Sequence, residues 1–191
     1  MYARKIGDKK LTFDFAEGLI KNNLLFVDRE THTIWSQLAG QAVSGKLKGE
    51  PLKMLPTMQT TWKFWKSKHP DTRVLVEKGK KGYPYVYRTW QPGEPRPEKR
   101  PTQHNTSTLG LGIVINGEGM FFPFTELARQ PRQFPFTIGG KTVTIHYDPD
   151  GLTAWATGAN GKLLTTVLAY KTGWFNFNPK SKIFHVGSGK K

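Results

Sequence analysis

Residues 111–122 read Leu-Gly-Ile-Val-Ile-Asn-Gly-Glu-Gly-Met-Phe-Phe, and this stretch decides the fold class. Its two apolar runs flank Asn116-Gly117, a pair that favours the positive φ angles of a tight hairpin turn. Gly139-Gly140 stands in the same way between Thr137-Ile138 and the alternating run 143–147. The pattern therefore predicts two β-hairpins in the second half of the chain.

Other short apolar runs bounded by turn residues extend this pattern to the whole chain. Residues 11–15 alternate between apolar and polar with a period of two, which is typical of a half-buried strand. Further strands are predicted at 24–27, 163–169 and 183–186. Short strands with one apolar face must cover each other, so we expect sheets packed face to face.

Helical patterns are few. One helix is predicted at 60–68, with a threonine as its N-cap and His69-Pro70 as its end. A shorter helix is predicted at 125–129. The predicted fold is mainly β, all-β or β-rich α+β, arranged as a two-sheet sandwich or a partly closed barrel with two short helices. We expect the tryptophans and strands of both ends of the chain to share one interior.

The chain is predicted to form a single compact domain over residues 1–191. A proline-rich connection at 91–103 would join two halves, 1–90 and 104–186, and residues 187–191 form a flexible basic tail. An internal duplication of these halves is an open alternative, because several matches recur in the same order. Asp28 precedes Trp35 by seven positions, as Asp148 precedes Trp155, and Trp65 with Pro70 is echoed by Trp174 with Pro179.

The composition restricts the function classes. The chain has 29 Lys or Arg against 14 Asp or Glu, a formal net charge of +15, which predicts attraction to polyanions. The absence of cysteine excludes thiol nucleophiles, iron–sulfur ligation and cysteine zinc sites. No apolar run is long enough for a transmembrane segment, and the first residues lack the apolar region of a signal peptide.

Three stretches of the sequence carry a family resemblance. Residues 23–37, 60–72 and 112–118 resemble the prokaryotic family known as domain of unknown function 3179 (DUF3179), and the likeness runs from about Lys10 to Phe184. The resemblance implies an envelope-type protein, periplasmic or secreted, and it brings no activity with it. Family members usually carry a cysteine-containing strand before the region that matches residues 2–4, and this sequence lacks that strand.

Asp28, His32 and Trp35 are the first candidate ligand-binding residues. An aspartate at the end of an apolar strand, followed by threonines, is typical of a turn in which the carboxylate accepts N–H groups. The functional alternative is a small acid–base or metal-binding cluster that includes Glu30. His104, in a polar loop before a strand, is a further candidate. The five histidines show no metal-site spacing, so no metal and no cofactor are predicted.

A basic and aromatic strip lies near the middle of the chain. Basic side chains interleaved with aromatic rings can contact phosphates and stack on bases. The candidate residues for binding an anion or a nucleic acid are Lys78, Lys80, Lys81, Tyr85, Tyr87 and Arg88. The alternative is that the tyrosines line an edge strand, while Trp62, Trp65 and Trp174 anchor the core.

Three functions fit these observations. The first is a non-enzymatic, envelope-type domain that binds a protein partner or an anionic polymer, such as nucleic acid or an anionic glycan. The second is a nucleic-acid-binding protein that uses residues 78–100. The third is an enzyme with its site between the two halves. The first is preferred, because no serine elbow and no paired carboxylates are found in the sequence.

Overall fold

The computed structural model describes residues 1–74, here called the N-terminal half, and residues 108–187, here called the C-terminal half. Strands account for 44% of the structure and helices for 12%. The described strands form four sheets, none of which closes into a barrel. The predicted β-rich α+β class is therefore confirmed, with three short helices in place of two.

The N-terminal half contains two sheets and one helix. Its elements are β1 (Lys5–Ile6), β2 (Lys9–Lys10), β3 (Phe13–Ile20), β4 (Asn23–Asp28), β5 (Ile34–Ser36), β6 (Gln41–Ser44) and α1 (Trp62–Lys68). Strands β3 to β6 form an antiparallel meander in chain order, and β1 pairs with β2. The β3–β4 turn is built on Lys21 and Asn22, whose φ angles are 50° and 60°.

The C-terminal half contains two sheets and two helices. Its elements are β7 (Leu109–Ile115), β8 (Glu118–Pro123), α2 (Phe124–Leu127), β9 (Gln133–Ile138), β10 (Lys141–Asp148), β11 (Thr153–Thr157), β12 (Val167–Tyr170), α3 (Lys171–Phe177) and β13 (Lys182–Ile183). One sheet has the order β12-β7-β8-β13, with β13 parallel to β8, and the other has the order β11-β10-β9.

Both predicted hairpins are present. Asn116 and Gly117 join β7 to β8 with φ angles of 49° and 80°, and Gly139 and Gly140 join β9 to β10 with φ angles of 55° and 73°. A Cβ atom at Gly139 would lie 2.2 Å from the carbonyl oxygen of Ile115, so this turn requires glycine for space as well as for conformation.

Helices α1 and α3 resemble each other in length and in their ends. The hydroxyl of Thr61 caps α1 by accepting from the N–H of Phe64 at 3.3 Å, as the sequence predicts. Each helix has a tryptophan at its fourth position and ends where the N–H of the C-cap residue bonds the carbonyl of that tryptophan. Helix α3 was not predicted. The internal duplication stays a prediction, supported locally by this similarity.

The interior is divided into two clusters, so the expectation of one shared interior is wrong for the described residues. Trp35 is fully buried in the N-terminal half, packed with Leu11, Ala42 and Leu52. The larger cluster joins the two sheets of the C-terminal half, with members such as Phe122 from β8. The tryptophan prediction fails at one position, because the side chain of Trp62 is 52% exposed.

Hydrogen bonds connect the two halves at two places. The Thr60 hydroxyl and the Thr61 N–H both donate to the carbonyl of Gly151, at 2.9 and 3.0 Å. The Lys21 ammonium donates to the carbonyl of Asn176 at the end of α3. These bonds place the start of α1 on the β10–β11 turn and the β3–β4 turn on α3.

Alanine should change the stability of the protein in opposite directions at Gly112 in β7 and at Gly173 in α3. A Cβ at Gly112 would lie 2.3 Å from the Trp174 ring, whereas one at Gly173 in α3 would meet nothing within 4 Å. We expect Gly112→Ala to lower the free energy of unfolding by about 1–3 kcal/mol through overpacking. Gly173→Ala should raise it by roughly 0.5–1 kcal/mol through helix propensity.

Urea unfolding followed by tryptophan fluorescence measures both changes. If Gly112→Ala unfolds at the same urea concentration as the parent chain, the indole of Trp174 does not lie against β7 as described.

Candidate functional site

The Asp28 carboxylate is fully buried at the end of β4 and bonded by its own hairpin. Its Oδ2 atom accepts from the indole N–H of Trp35 at 2.8 Å, and its Oδ1 atom accepts from the N–H of Thr31 at 2.5 Å. The Thr31 hydroxyl lies 2.8 Å from both oxygens, and the N–H of Thr33 lies 3.2 Å from Oδ2. The side-chain oxygens of Asp28 are therefore already engaged within residues 28–35.

These contacts determine the charge of Asp28. Burial by itself would raise the pKa of the carboxyl, but the hydrogen bonds from Trp35, Thr31 and Thr33 outweigh it and leave the pKa below its ordinary value. Asp28 is thus an anion that holds the β4–β5 connection in shape. This geometry is that of the turn interpretation of the sequence.

Of the other predicted ligand residues, one bonds this anion, one is exposed on the turn, and the rest lie outside the described residues. Trp35 is buried and its only polar side-chain atom is bonded to Asp28, while His32 is exposed on the turn with a φ angle of 55°. His104 lies outside the described residues. The basic and aromatic candidates do as well, namely Lys78, Lys80, Lys81, Tyr85, Tyr87 and Arg88. Their assignment to a site stays a prediction.

Two histidines lie on tryptophan rings instead of forming a ligand cluster. His146 is stacked parallel to Trp155 with 4.9 Å between ring centroids, and burial lowers its pKa. His69 lies 4.1 Å from Trp65, centroid to centroid, at the end of α1. Within residues 1–74 and 108–187, no three histidine or carboxylate side chains are grouped so that they could hold a metal ion.

Asp28→Asn should destabilise the N-terminal half, because an amide cannot accept from all the donors that surround the carboxylate. We expect a loss of about 2–4 kcal/mol in the free energy of unfolding. Since the folded pKa is depressed, the parent chain should lose this stabilisation as the pH falls below about 4, the ordinary value of an aspartate. The variant should lack that part of the pH dependence.

Denaturant titrations of both chains between pH 3 and pH 7 test the expectation. Thr31→Val is the informative companion, since it removes one donor and keeps the anion. An Asp28→Asn variant as stable as the parent at pH 7 would contradict the structural role.

A cleft of about 820 Å³ lies between the two halves. One wall consists of the β3–β4 turn, the residues after β5 and the extended segment before α1. Met1 and Tyr2 complete this wall, and the other wall consists of β12, α3 and Ala154 of β11. The bond from Lys21 to Asn176 joins the walls on one side. The volume falls within the usual range of small-molecule sites, which is roughly 300–1,000 Å³.

The lining of the cleft is polar and almost uncharged. Five amide side chains contribute to it, those of Asn22, Asn23, Gln37, Gln59 and Asn176. Among the described lining residues, Lys21 is the one with a charged side chain, and none is aspartate, glutamate or histidine. The chemistry that this set offers is hydrogen bonding to neutral polar groups.

Two polar side chains of the walls differ in their hydrogen bonding. The Oδ1 atom of Asn23 is buried and has no hydrogen-bond partner among the described residues, which is costly unless a donor reaches it. The Tyr2 hydroxyl already has a partner, because it donates to the carbonyl of Gln37. Burial raises the pKa of Tyr2. The Oδ1 atom of Asn23 therefore lies beneath the surface of this wall without a donor among the described residues.

A smaller recess of about 190 Å³ adjoins the cleft. Both cavities are lined by Leu38, Met54, Val167 and Gly173. The recess is mostly apolar and is lined also by the buried ring of Trp174. Together the two cavities offer hydrogen bonds along the cleft and room for an apolar group at its side.

A second exposed feature is the α1 surface, formed by Trp62, Lys63, Lys66 and Lys68. The ammonium of Lys66 lies 6.0 Å from the centroid of the Trp62 ring, and that of Lys68 lies 5.9 Å from the centroid of the Phe64 ring. All three lysines are exposed, and α1 itself contains no acidic residue. This surface combines a stacking ring with cations, the combination that the sequence predicts for residues 78–88.

The cleft residues were not found from the sequence, although a site between the halves was one of the three hypotheses. Amides scattered from Asn22 to Asn176 have no characteristic spacing, because folding alone brings them together. The one local indication is Lys21-Asn22, a turn pair that interrupts the strands at 13–20 and 23–28.

Fold and cleft together define a β-rich α+β domain with a polar cleft between two sheet-containing halves. The chain matches the family model described as "Protein of unknown function (DUF3179)" over residues 1–184, and it belongs to this family. No curated protein and no solved structure matches it. Among the described helices, none has the length and apolar character needed to cross a membrane.

Proposed function

We propose that this chain is a non-enzymatic binding domain whose cleft takes a neutral, polar ligand or partner. The observation that carries the proposal is the lining of the 820 Å³ cleft, in which five amide side chains stand beside one charged side chain, that of Lys21. Amide side chains both donate and accept hydrogen bonds, so this lining would pair with the neutral polar groups of a ligand.

The lining favours binding over catalysis. General acid–base work most often uses a histidine or a carboxyl, and the described lining has neither. Its Lys21 ammonium and Tyr2 hydroxyl already donate to the carbonyls of Asn176 and Gln37. The cleft occupies the position of the enzyme hypothesis, but its groups fit recognition better. An envelope or secreted location, which the family resemblance implies, is part of the same proposal.

Filling the cleft tests the proposal. Gly173 lines both cavities and has open space at its Cβ, so Gly173→Trp should fold and place an indole in the cleft. The probes are a panel of neutral oligosaccharides and a library of neutral heptapeptides, screened by thermal shift and then by calorimetry. We expect a binder whose affinity falls at least tenfold in Gly173→Trp and in Asn23→Ala.

Gln133→Trp is the matched control, because it adds the same indole at an exposed position of β9 that does not line the cleft. It should bind as the parent chain does. If no neutral probe binds, or if every binder ignores Gly173→Trp, the cleft is not the site.

Polyanion binding at the α1 surface is a second candidate function. It is favoured by the three exposed lysines beside an exposed tryptophan, and by the net charge of +15. An exposed aromatic ring next to cations fits single-stranded nucleic acid, whose bases stack and whose phosphates attract lysine. Anionic glycans share the charge but lack the stacking bases.

Replacing the lysines of α1 distinguishes polyanion binding at this helix from the attraction that the net positive charge produces anywhere on the surface. The Lys63→Gln/Lys66→Gln/Lys68→Gln variant should bind single-stranded DNA with a shallower salt dependence, by about 0.7 in logarithmic slope for each lysine–phosphate pair removed. Lys9→Gln/Lys10→Gln/Lys141→Gln carries the same net charge and removes three exposed lysines elsewhere. Fluorescence anisotropy at a series of salt concentrations gives the slopes, and equal slopes for the two variants would refute an α1 site.

A further inference from the structure

One edge of strand β12 is unpaired among the described strands. This strand is the first in the order β12-β7-β8-β13, so β7 pairs with one side of it only. The Lys171 N–H bonds the Thr108 carbonyl at 2.9 Å in the same register, which identifies this pair as a hydrogen-bonded one. Because such pairs alternate, Val167 and Ala169 bond to β7, whereas the backbone groups of Leu168 and Tyr170 point the other way.

The outward side of β12 borders the cleft. Residues 166–170 all line it, which is the arrangement of a strand whose edge, and not only one face, is open. No described strand pairs with Leu168 on this side, and the residue is only partly buried. An unpaired strand edge of this kind is a template for a further strand.

The opposite wall offers complementary groups. Asn22, Asn23 and Gln37 line it with amides, which can pair with peptide N–H and C=O groups. The recess beside Val167 and Trp174 would receive one apolar side chain. Alternate side chains of an added strand point to opposite sides, so one can enter the recess while the next faces away.

We propose that the cleft binds an extended, uncharged peptide segment of a partner protein, which adds to β12 as a fifth strand of its sheet. This inference rests on the proposed function and names its ligand class. The backbone of Leu168 supplies main-chain hydrogen bonds, the amides of the β3–β4 turn bond the far edge of the peptide, and the recess selects an apolar side chain.

A neutral saccharide would use the amide wall of the cleft but not the edge of β12. Its hydroxyls could satisfy the amides, but they would not repeat with the spacing of the outward groups on β12. A charged peptide would bring its charge to a wall of neutral amides with little to pair it. The strand edge and the amide wall are used together only by a peptide backbone.

N-methylation of the ligand tests the strand addition without changing the protein. The strongest neutral heptapeptide selected by the full chain from a displayed library is synthesised in two forms, methylated on alternate amides in one register or in the other. One form should bind at least tenfold more weakly by calorimetry, because the methyl group removes the N–H that bonds β12. The other form, whose methyl groups face the amide side chains of the opposite wall, should lose clearly less affinity than the first.

A second measurement monitors hydrogen exchange at the backbone amides of β12. The amide of Leu168 should exchange with deuterium more slowly when the peptide is bound, and the amide of Ala169, which already bonds β7, should change much less. Tyr170→Pro removes the other outward N–H at an exposed residue whose φ angle of −68° suits proline, and it should weaken the peptide at least tenfold while the near-ultraviolet circular dichroism stays that of the parent chain.

The outcomes separate this inference from the function on which it rests. If a saccharide binds the parent chain but not Gly173→Trp, and no heptapeptide behaves in this way, strand addition is wrong and the cleft remains the site. Equal tolerance of both methylation registers overturns strand addition as well. Self-association that Gly173→Trp abolishes would replace the partner peptide with a second copy of this chain. Failure of every neutral probe overturns both proposals.

Discussion

The contact between Trp174 and Gly112 holds together the part of the molecule on which the cleft depends. The indole of Trp174 lies so close to β7 that a Cβ at Gly112 would come within 2.3 Å of it. This close approach seats α3 across the sheet and makes β12, which leads directly into α3, one wall of the cleft. Bulk at position 112 would push the helix outward, and the wall would move with it.

The N-terminal wall depends on a different kind of interaction. Asp28 is an anion buried beside an indole N–H and the donors of two threonines, so the β4–β5 connection has a single well-satisfied geometry. Buried charges are tolerated only when they are bonded in this way. The residues that follow β5, including Gln37 and Leu38, then reach the cleft from a fixed direction. One wall is thus positioned by packing and the other by a buried charge.

The chemistry of the two candidate surfaces differs accordingly. The cleft is nearly free of charge and offers backbone and amide hydrogen bonds, which suits a neutral ligand held at close range. The α1 surface offers exposed cations and a half-exposed ring, which suits a ligand drawn by long-range attraction. The position of α1 relative to the C-terminal half is fixed by Thr60 and Thr61, which precede the helix and donate to the carbonyl of Gly151.

Much of the local structure could be predicted from the sequence, because turns are decided by single residues. Asn116-Gly117 and Gly139-Gly140 supply positive φ angles, and Thr61 supplies a cap, whatever surrounds them. Helix α3 escaped prediction because Lys171–Phe177 contains a glycine and three aromatic residues and has no capping side chain. Its helical form comes from the docking of Trp174, which is a tertiary contact.

The amino-acid order alone therefore determined the two hairpins, the strand at 24–27, the basic character and the turn around Asp28, since each depends on neighbours within a few positions. The strands predicted at 163–169 and 183–186 are shorter and shifted in the structure, at Val167–Tyr170 and Lys182–Ile183. Only the tertiary structure decided that the interior divides in two, that Trp62 is exposed, and that amides from Asn22 to Asn176 meet at one cleft. The physical reason is that burial and unsatisfied hydrogen bonds are properties of the packed chain, in which residues 155 positions apart become neighbours, as Lys21 and Asn176 do.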